Sequence, residues 1–284
     1  MNVFVNFKYI IKKTGKWTFG IYSVVGVLCF FVDFQGLLNT EWSFVKKIVT
    51  SIIIFLSLFF IVLIISILIY GFFIKKVKKI SAGNKNSVYI CYGDIFKFKK
   101  KERRNLVIAV NRCFDTIVDN KLISEKSLHG QLFNNLYDAG IYNVNTLNNK
   151  LQSELNRNGF KYNQLQRAEK PSGNLNRYPL GTTIELKNNL ETYFLMGLSS
   201  LDKDLAAHIT LNEYIFSINK IIDYCYEHSQ GFPVIMPLVG GGLSRSGISE
   251  KDILQLILTL LEINKSKIVS DFYIIVNSNI SITE

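Results

Sequence analysis

A segment rich in glycine and serine, Gly240 to Gly247, contains the residue types best suited to binding a phosphate. It directly follows the apolar run FPVIMPLV and directly precedes a helical pattern that opens at Ser249. Glycines let backbone N–H groups approach a phosphate closely, and the N-terminus of a helix favours bound anions. The segment lacks the GK[ST] ending of a Walker loop and the GxGxxG spacing. It therefore predicts a phosphate-binding loop, with a flexible turn that simply needs glycine as the alternative.

Two further groups of polar residues follow apolar strands. Asn111 to Thr116 comes directly after a hydrophobic run, and Ser124 to Gln131 leads into a helical pattern. Because ligands bind outside the carboxyl ends of strands in α/β sheets, these segments predict a second wall of the site. A capped helix without a ligand is the alternative. Asp94 ends the first strand, where it would accept from an exocyclic amine or close an Asx-turn.

The elements that must position these residues alternate between strands and helices. The apolar runs predict strands at Val88–Tyr92, Leu106–Asn111, Thr182–Leu186, Thr192–Met196, Pro233–Val239 and Ile268–Val276. Helical spacing predicts helices at Lys126–Tyr137, Leu147–Asn156, Leu211–His228 and Ser249–Ile263. Runs such as LVIAV are apolar on both faces, as in a sheet that helices cover on each side. We therefore expect a layered α/β domain.

The N-terminal third predicts a two-helix transmembrane hairpin. Residues 48–74 contain no charged side chain and are long enough to cross a bilayer, which takes about 20 residues. A shorter apolar stretch predicts a first span at about 17–38, with a secretory signal peptide as its alternative. Lysines before the first span and after the second place both termini in the cytoplasm. We expect residues 1–80 to form the hairpin, 81–87 a linker, and 88–284 one domain.

The charge distribution argues against nucleic-acid binding. The 284 residues carry a net charge of +11. Ten lysines and two acids put +8 in residues 1–84, which leaves only +3 for the other 200 residues. Basic residues that flank apolar spans contact lipid headgroups. The four cysteines lack metal-ligand spacing and predict free thiols, and the three histidines are too scattered for a metal site.

In chain order, the polar segments resemble the macro domain family. Macro domains open with a strand that ends in Gly-Asp-Ile, here Gly93-Asp94-Ile95, and continue with a strand that ends in Val-Asn, here Val110-Asn111. They close with a strand that leads into a glycine-rich phosphate loop, here Gly240 to Gly247. The resemblance implies a three-layer α/β/α domain with a mixed central sheet that binds ADP-ribose. It implies that Asp94 holds the adenine amine, with Ile95 beside it, and that the glycine loop holds the diphosphate.

The hairpin and the segments FDT and SLHGQ together look like the membrane-anchored macro-domain effectors of Thoeris-type bacterial anti-phage systems. That resemblance implies a TIR-domain partner that makes an ADP-ribose-containing signal, such as histidine–ADP-ribose. It also implies a multi-pass protein of the bacterial plasma membrane, with a cytoplasmic macro domain that oligomerises on activation and disrupts the bilayer. The ligand-binding residues expected from the sequence and the resemblance are Asp94, Ile95, Asn111, Phe114, Asp115, Thr116, Ser127, His129, Val239, Gly240, Gly241, Gly242, Leu243, Ser244 and Arg245.

The same resemblance bears on catalysis. Macro-domain hydrolases carry Val-Asn-Ala-Ala-Asn, whereas Phe114 here takes the place of the second asparagine. We therefore expect a sensor without catalytic residues, bound metal or cofactor. Asn111 and Asp115 keep open the alternative of a membrane-tethered hydrolase of ADP-ribosylated molecules. A structural membrane protein whose domain binds a protein partner is the third possibility.

Overall fold

A computed structural model of the chain describes residues 7–31, 43–69, 76–82, 85–239 and 248–276. The chain divides into two units, Met1–Val77 with Asn277–Glu284, and Lys78–Val276. The predicted phosphate loop, Gly240 to Gly247, lies outside the described residues. Of the residues expected to bind the ligand, this leaves Gly240, Gly241, Gly242, Leu243, Ser244 and Arg245 without a described position.

The first unit contains two helices that pack against each other, α1 (Phe7–Phe31) and α2 (Phe44–Leu68). Ser43 caps α2 by accepting from the Lys46 N–H at 3.4 Å. The Tyr22 hydroxyl lies 2.5 Å from Ser51 Oγ, and the Tyr22 ring contacts Phe55 edge-on with centroids 5.2 Å apart. The predicted pair of N-terminal helices is therefore present.

By length and composition, one helix among the described residues is suited to cross a membrane, at Ile48–Leu68 in α2. This agrees with the second predicted span, of which residues 70–74 lie outside the description. The first predicted span, 17–38, is helical as far as Phe31, and 32–38 also lie outside the description. A second membrane crossing is not confirmed and stays a prediction.

The second unit is built on a mixed sheet. Its strands are β1 (Lys76–Ser81), β2 (Ser87–Tyr92), β3 (Arg104–Asn111), β6 (Thr183–Asn188), β7 (Glu191–Leu201), β8 (Ala207–His208), β9 (Val234–Pro237) and β10 (Phe272–Val276), and a separate two-stranded sheet holds β4 (Asn163–Gln164) and β5 (Asn176–Arg177). The order is β1-β2-β10-β9-β3-β7-β6, with β8 beside β7. From β2 to β7 the neighbours are parallel, whereas β6 and β8 run antiparallel to β7. All six predicted strands are present.

Helices cover both faces of this sheet. They are α3 (Leu128–Asp138), α4 (Val144–Arg157), α5 (Leu211–His228) and α6 (Glu250–Ile263), with a short 3-10 helix at Lys265–Lys267. On one face, Ile108 of β3 shares a buried cluster with Phe133 of α3 and Leu151 of α4. On the other, the Phe194 ring of β7 contacts Tyr224 of α5 with centroids 5.2 Å apart. This is the predicted three-layer α/β/α fold.

The edge of the sheet differs from the sequence-based expectation. The lysine-rich residues after the second span form β1, so the domain begins before residue 88. The predicted linker at 81–87 contains the turn between β1 and β2, where the Ala82 N–H donates to the Asn86 carbonyl at 2.9 Å. Lysine-rich sequence suits an exposed edge strand as well as a membrane surface, so composition alone did not separate the two.

A buried arginine holds the loop after β2 against the sheet. Arg104 is fully buried at the start of β3, and its guanidinium donates to the Ile95 and Phe96 carbonyls at 3.2 and 2.7 Å. It also donates to the Phe98 carbonyl and forms an ion pair with Glu191 of β7. Because Asp94 immediately precedes these acceptors, Arg104 fixes the loop on which Asp94 lies.

Replacing this arginine should destabilise the domain severely. Arg104→Met leaves the Glu191 carboxylate and three carbonyls without their donor, and breaking a buried pair costs about 3–5 kcal/mol. Urea unfolding of the full chain in detergent measures this change. Arg103→Met is the matched control, because Arg103 is exposed and lies over the Phe232 ring. A loss of the same small size in both variants would contradict the assigned role.

Candidate ligand-binding cleft

A cleft of ≈ 500 Å³ opens at the carboxyl ends of β3 and β9. β3 pairs with β9 at Asn105 and Leu106 and with β7 along its whole length. The residues that follow at the carboxyl ends of β3 and β9, together with the first turn of α3 and the segment before it, line the cleft. The walls include residues from four segments, namely 109–111, 120–129, 198–207 and 237–239.

Asn111 lines the cleft and is 5% exposed. Its side-chain oxygen accepts from the backbone N–H groups of Cys113 and Asp115 at 3.1 and 3.3 Å, which fixes the amide orientation. Among the described residues, its Nδ2 makes no hydrogen bond of normal geometry, although burial raises the pKa of the Asp115 carboxyl and the Asn111 side chain acts against that larger effect to lower it. An unpaired buried donor costs roughly 1–3 kcal/mol, so an acceptor on a ligand would relieve a real penalty here.

His129, in the first turn of α3, gives the cleft a second buried polar group. The side chain is 7% exposed, its ring contacts Phe133 edge-on, and within the described part of the chain its Nε2 is unpartnered. Burial lowers the pKa of His129 to about 3, against the opposing effect of a hydrogen bond with the Asp115 backbone. The imidazole is therefore neutral at physiological pH, and it offers a ligand a fixed dipole rather than a charge.

The turn that presents His129 depends on two small residues. Ser127 lines the cleft and caps α3, accepting from the Gly130 N–H at 3.0 Å while donating to the Ser124 carbonyl at 2.6 Å. A Cβ on Gly130 would lie 2.2 Å from the Ser124 carbonyl oxygen. Glycine is therefore required at this position for the loop to pass so close to the helix.

The residues expected near the adenine and the diphosphate follow β2 and β9, which are separated by β10, and neither Asp94 nor Ile95 is among the described residues that line the cleft. Asp94 follows β2 and is exposed, and one of its oxygens accepts from the Phe96 N–H at 2.9 Å, while Ile95 is buried. This is the Asx-turn that the sequence left open, and it leaves carboxylate surface for a ligand. Val239 lines the cleft and is held by a 2.7 Å hydrogen bond from the Tyr214 hydroxyl to its carbonyl. Val239 is also the last described residue before the glycine-rich segment.

The structure places Phe114, Asp115 and Thr116 behind the wall of the cleft. Phe114 adopts a left-handed backbone with φ of 51° and turns its ring into the core, 3.3 Å from where a Cβ on Gly197 would lie. Thr116 accepts at its carbonyl from the Tyr137 hydroxyl at 2.6 Å. These residues support the cleft instead of lining it in the described structure. Direct ligand contact by them stays a prediction.

Asp115 has a partner that the sequence did not indicate. Lys170 Nζ lies 2.9 Å from Asp115 Oδ2, and both side chains are buried. Asn174 donates its backbone N–H to Asp115 Oδ1 at 2.6 Å and its side-chain amide to the Phe114 carbonyl at 3.1 Å. The pair therefore fastens the surface segment 163–178 to the loop after β3. No local pattern marks a contact across 55 residues.

Three cysteines of the second unit form no disulfide, and the described residues contain no cluster of metal ligands. Cys91, Cys113 and Cys225 are buried and form no disulfide, as expected. Burial raises the pKa of the Cys113 thiol to about 11, so it is not a nucleophile at neutral pH. In the described ranges, no three His, Cys, Asp or Glu side chains come together as metal ligands.

A mixed sheet covered on both faces, with a cleft at the carboxyl ends of its central parallel strands, defines a macro domain. Residues 88–277 match the family model described as Thoeris protein ThsA, Macro domain. The chain therefore belongs to the ThsA macro-domain family.

The chain is also similar to individual proteins. Over 188 residues it is 28% identical to the Thoeris protein ThsA of Bacillus amyloliquefaciens (strain Y2), a match over 65% of this chain and 59% of that protein. The chain thus spans less than two thirds of that relative. Among solved structures, the Oceanobacillus iheyensis macrodomain with ADP is 14% identical and covers 71% of this chain and 88% of its own, with a TM-score of 0.44. A mutant of the same macrodomain is 12% identical, with coverages of 71% and 85% and a TM-score of 0.43.

The buried histidine should make stability depend on pH. The lowered pKa of His129 means that the unfolded chain, with a histidine pKa near 6.5, takes up the proton first as pH falls. Its contribution is therefore complete above about pH 6.5 and is lost as pH falls toward 3. Between pH 7 and pH 5 the loss is about 2 kcal/mol. Urea unfolding of the full chain and of His129→Gln at both pH values measures it.

The histidine variant should show a flatter pH dependence than the parent chain. His208→Gln is the matched control, because His208 is exposed and lies 2.6 Å from Asp202. Equal slopes for the parent chain and His129→Gln would contradict a neutral, buried imidazole.

The Lys170–Asp115 pair predicts a compensating double variant. Lys170→Met leaves the Asp115 carboxylate buried without its cation, which costs about 3–5 kcal/mol. Adding Asp115→Asn removes the buried charge and should restore part of the free energy of unfolding, as denaturant unfolding would measure. A double variant less stable than Lys170→Met would show that the pair is not the reason for the loss.

Proposed function

We propose that this chain is a membrane-anchored effector of Thoeris anti-phage defence whose macro domain binds an ADP-ribose-containing signal. One observation carries the proposal: two residues that line the same cleft of the described structure, Asn111 and His129, each have a buried polar atom without a hydrogen-bond partner, Nδ2 and Nε2 respectively. Natural folds rarely leave such groups unsatisfied, so these two fit a site completed by a ligand.

The surroundings of the cleft suit ADP-ribose. Its volume is ≈ 500 Å³, within the range of small-molecule sites. In this assignment Asp94 accepts from the adenine amine, and the glycine segment after Val239 donates backbone N–H groups to the diphosphate. Asn111 faces the distal ribose, and His129 lies beyond it, where a conjugated group such as histidine would sit.

The chemistry of the cleft favours sensing over hydrolysis. A general base works best with a pKa near the operating pH, whereas the pKa of His129 is about 3. Asp115, the other candidate base, is held by Lys170 and Asn174. Neither of these two described groups is therefore poised to activate water, and the signal would be bound without turnover.

In this proposal, the membrane helix α2 links ligand binding to an effect on the bilayer. A TIR-domain partner would supply the signal, and a ligand shifts assembly only by binding one state better than another. A domain ordered around the signal would present a new surface to a second copy, concentrating apolar α2 helices in the bilayer. Clustering of these helices would disrupt the bacterial membrane and stop growth or kill the cell.

Calorimetry tests the sensing step. The full chain in nanodiscs should bind ADP-ribose, and histidine–ADP-ribose more tightly, with no release of free ADP-ribose. Asn111→Ala removes the unpartnered donor and should weaken binding about 10- to 100-fold. Asn135→Ala is the matched control, since Asn135 is exposed on α3.

The outcomes separate the candidate functions. Absence of binding by the parent chain, or equal binding by Asn111→Ala and Asn135→Ala, would contradict the proposed site. Release of free ADP-ribose from a conjugate would favour the tethered hydrolase.

A further inference from the structure

A second, larger cleft of ≈ 820 Å³ lies between α5 and the segment that leads into β6. It shares no lining residue with the first cleft among the residues described for each. Gly181 brings the two walls close together: its φ is +75°, and a Cβ there would lie 2.9 Å from Lys220 Cβ. The cleft is therefore a built feature of the packing between the loop before β6 and α5.

Four basic side chains line this second cleft, namely Arg112, Lys161, Arg177 and Lys220. Two acids accompany them, and both have cationic or imidazole neighbours: Asp223 pairs with Lys267, and Glu227 lies 3.9 Å from His228. The lining therefore carries an excess of positive charge, in a domain whose sequence is close to neutral.

Two of these cations are guanidiniums held near each other. Arg112 donates its Nε to the Tyr178 carbonyl at 2.9 Å and an Nη to Ser200 Oγ at 3.2 Å, so its position is fixed. Within the described residues, Nε of Arg177 is buried without a partner. Burial and then the nearby Arg177 charge lower the pKa of Arg112, against the opposing effect of Glu213. The repulsion between these two like charges destabilises the folded domain, and an anion bound between them would turn that repulsion into a net attraction.

Exposed aromatic rings stand beside these charges. Tyr162 and Phe216 line the cleft and are 47% and 48% exposed, and the ammonium of Lys220 lies 5.5 Å from the centre of the Phe216 ring. Guanidiniums bind phosphate through paired N–H donors, and aromatic faces stack on bases. The combination of both in one cavity fits a nucleotide better than a bare anion.

We propose that the Arg112–Arg177 cleft is a second ligand site that takes a phosphorylated small molecule of nucleotide size. Its phosphates bind the two guanidiniums and Lys220, and its base stacks against Tyr162 or Phe216. The site is independent of the first cleft: it exists whether or not the first cleft binds ADP-ribose.

Titration of the full chain in phosphatidylcholine nanodiscs with ADP and with inorganic pyrophosphate tests this site. Arg177→Gln and Lys220→Gln should each weaken ADP binding at this site about 10- to 100-fold while leaving the ADP-ribose affinity of the first cleft unchanged. Arg157→Gln is the matched control, because Arg157 is an exposed arginine of α4 outside the cleft. Equal melting temperatures of all variants confirm that the fold is intact.

Three results would overturn the proposal. ADP binding that is unchanged in both Arg177→Gln and Lys220→Gln would remove the site. Pyrophosphate binding as tight as that of ADP would remove the base-stacking assignment. Loss of ADP binding when phosphatidylglycerol nanodiscs replace phosphatidylcholine would assign the cations to a lipid headgroup instead. Failure of the first cleft to bind ADP-ribose leaves each of these readouts intact, because Arg177 and Lys220 line the second cleft and not the first.

Discussion

The unequal pairing of β3 with its two neighbours is the constraint on which the described cleft depends. β3 pairs with β7 over eight residues but with β9 at only two, Asn105 and Leu106. Asn105 holds that short contact: its backbone N–H donates to the Pro233 carbonyl at 2.8 Å, and its side chain donates to the Ser229 carbonyl at 2.9 Å. The residues beyond this contact, at the carboxyl ends of β3 and β9, line the cleft. This is the edge of an α/β sheet at which ligands bind.

The polar groups in that gap carry a free-energy cost that the rest of the domain must offset. Asn111 Nδ2 and His129 Nε2 are buried among the described residues without partners, each at roughly 1–3 kcal/mol. The loop between them is braced from behind by the buried Phe114 ring and by the Asp115–Lys170 ion pair. Because the loop is already ordered in the folded domain, its loss of conformational entropy occurs on folding. Ligand binding then does not include that loss. These contacts explain why Phe114 and Asp115 face the core rather than the first cleft.

The sequence predicted the elements well because their signals are local. Residues 211–228 carry a capping box at Thr210 and helical spacing, and α5 has the predicted bounds. The six predicted strands stand out as apolar runs because helices cover both faces of the sheet. Nonlocal features were out of reach: the Lys170 partner of Asp115 lies 55 residues away in a polar segment. The placement of Phe114 was also out of reach, because no pattern in the sequence indicates a left-handed φ at this non-glycine residue or the burial of its ring. The lysines of β1 are compatible with either a membrane surface or an exposed edge strand. From composition we predicted the membrane surface, whereas the structure forms the edge strand.

Alternation along the strand ends explains how one small domain can hold two separate clefts. Asn111 and Ser199 line the first cleft, whereas the residues that follow them, Arg112 and Ser200, form a 3.2 Å hydrogen bond, and Arg112 lines the second cleft. Successive residues of a strand point to opposite faces, so a single pair of strand ends serves both cavities without either blocking the other. The same geometry makes their separation narrow, because the backbone between Asn111 and Arg112 is all that divides a neutral amide from a cation.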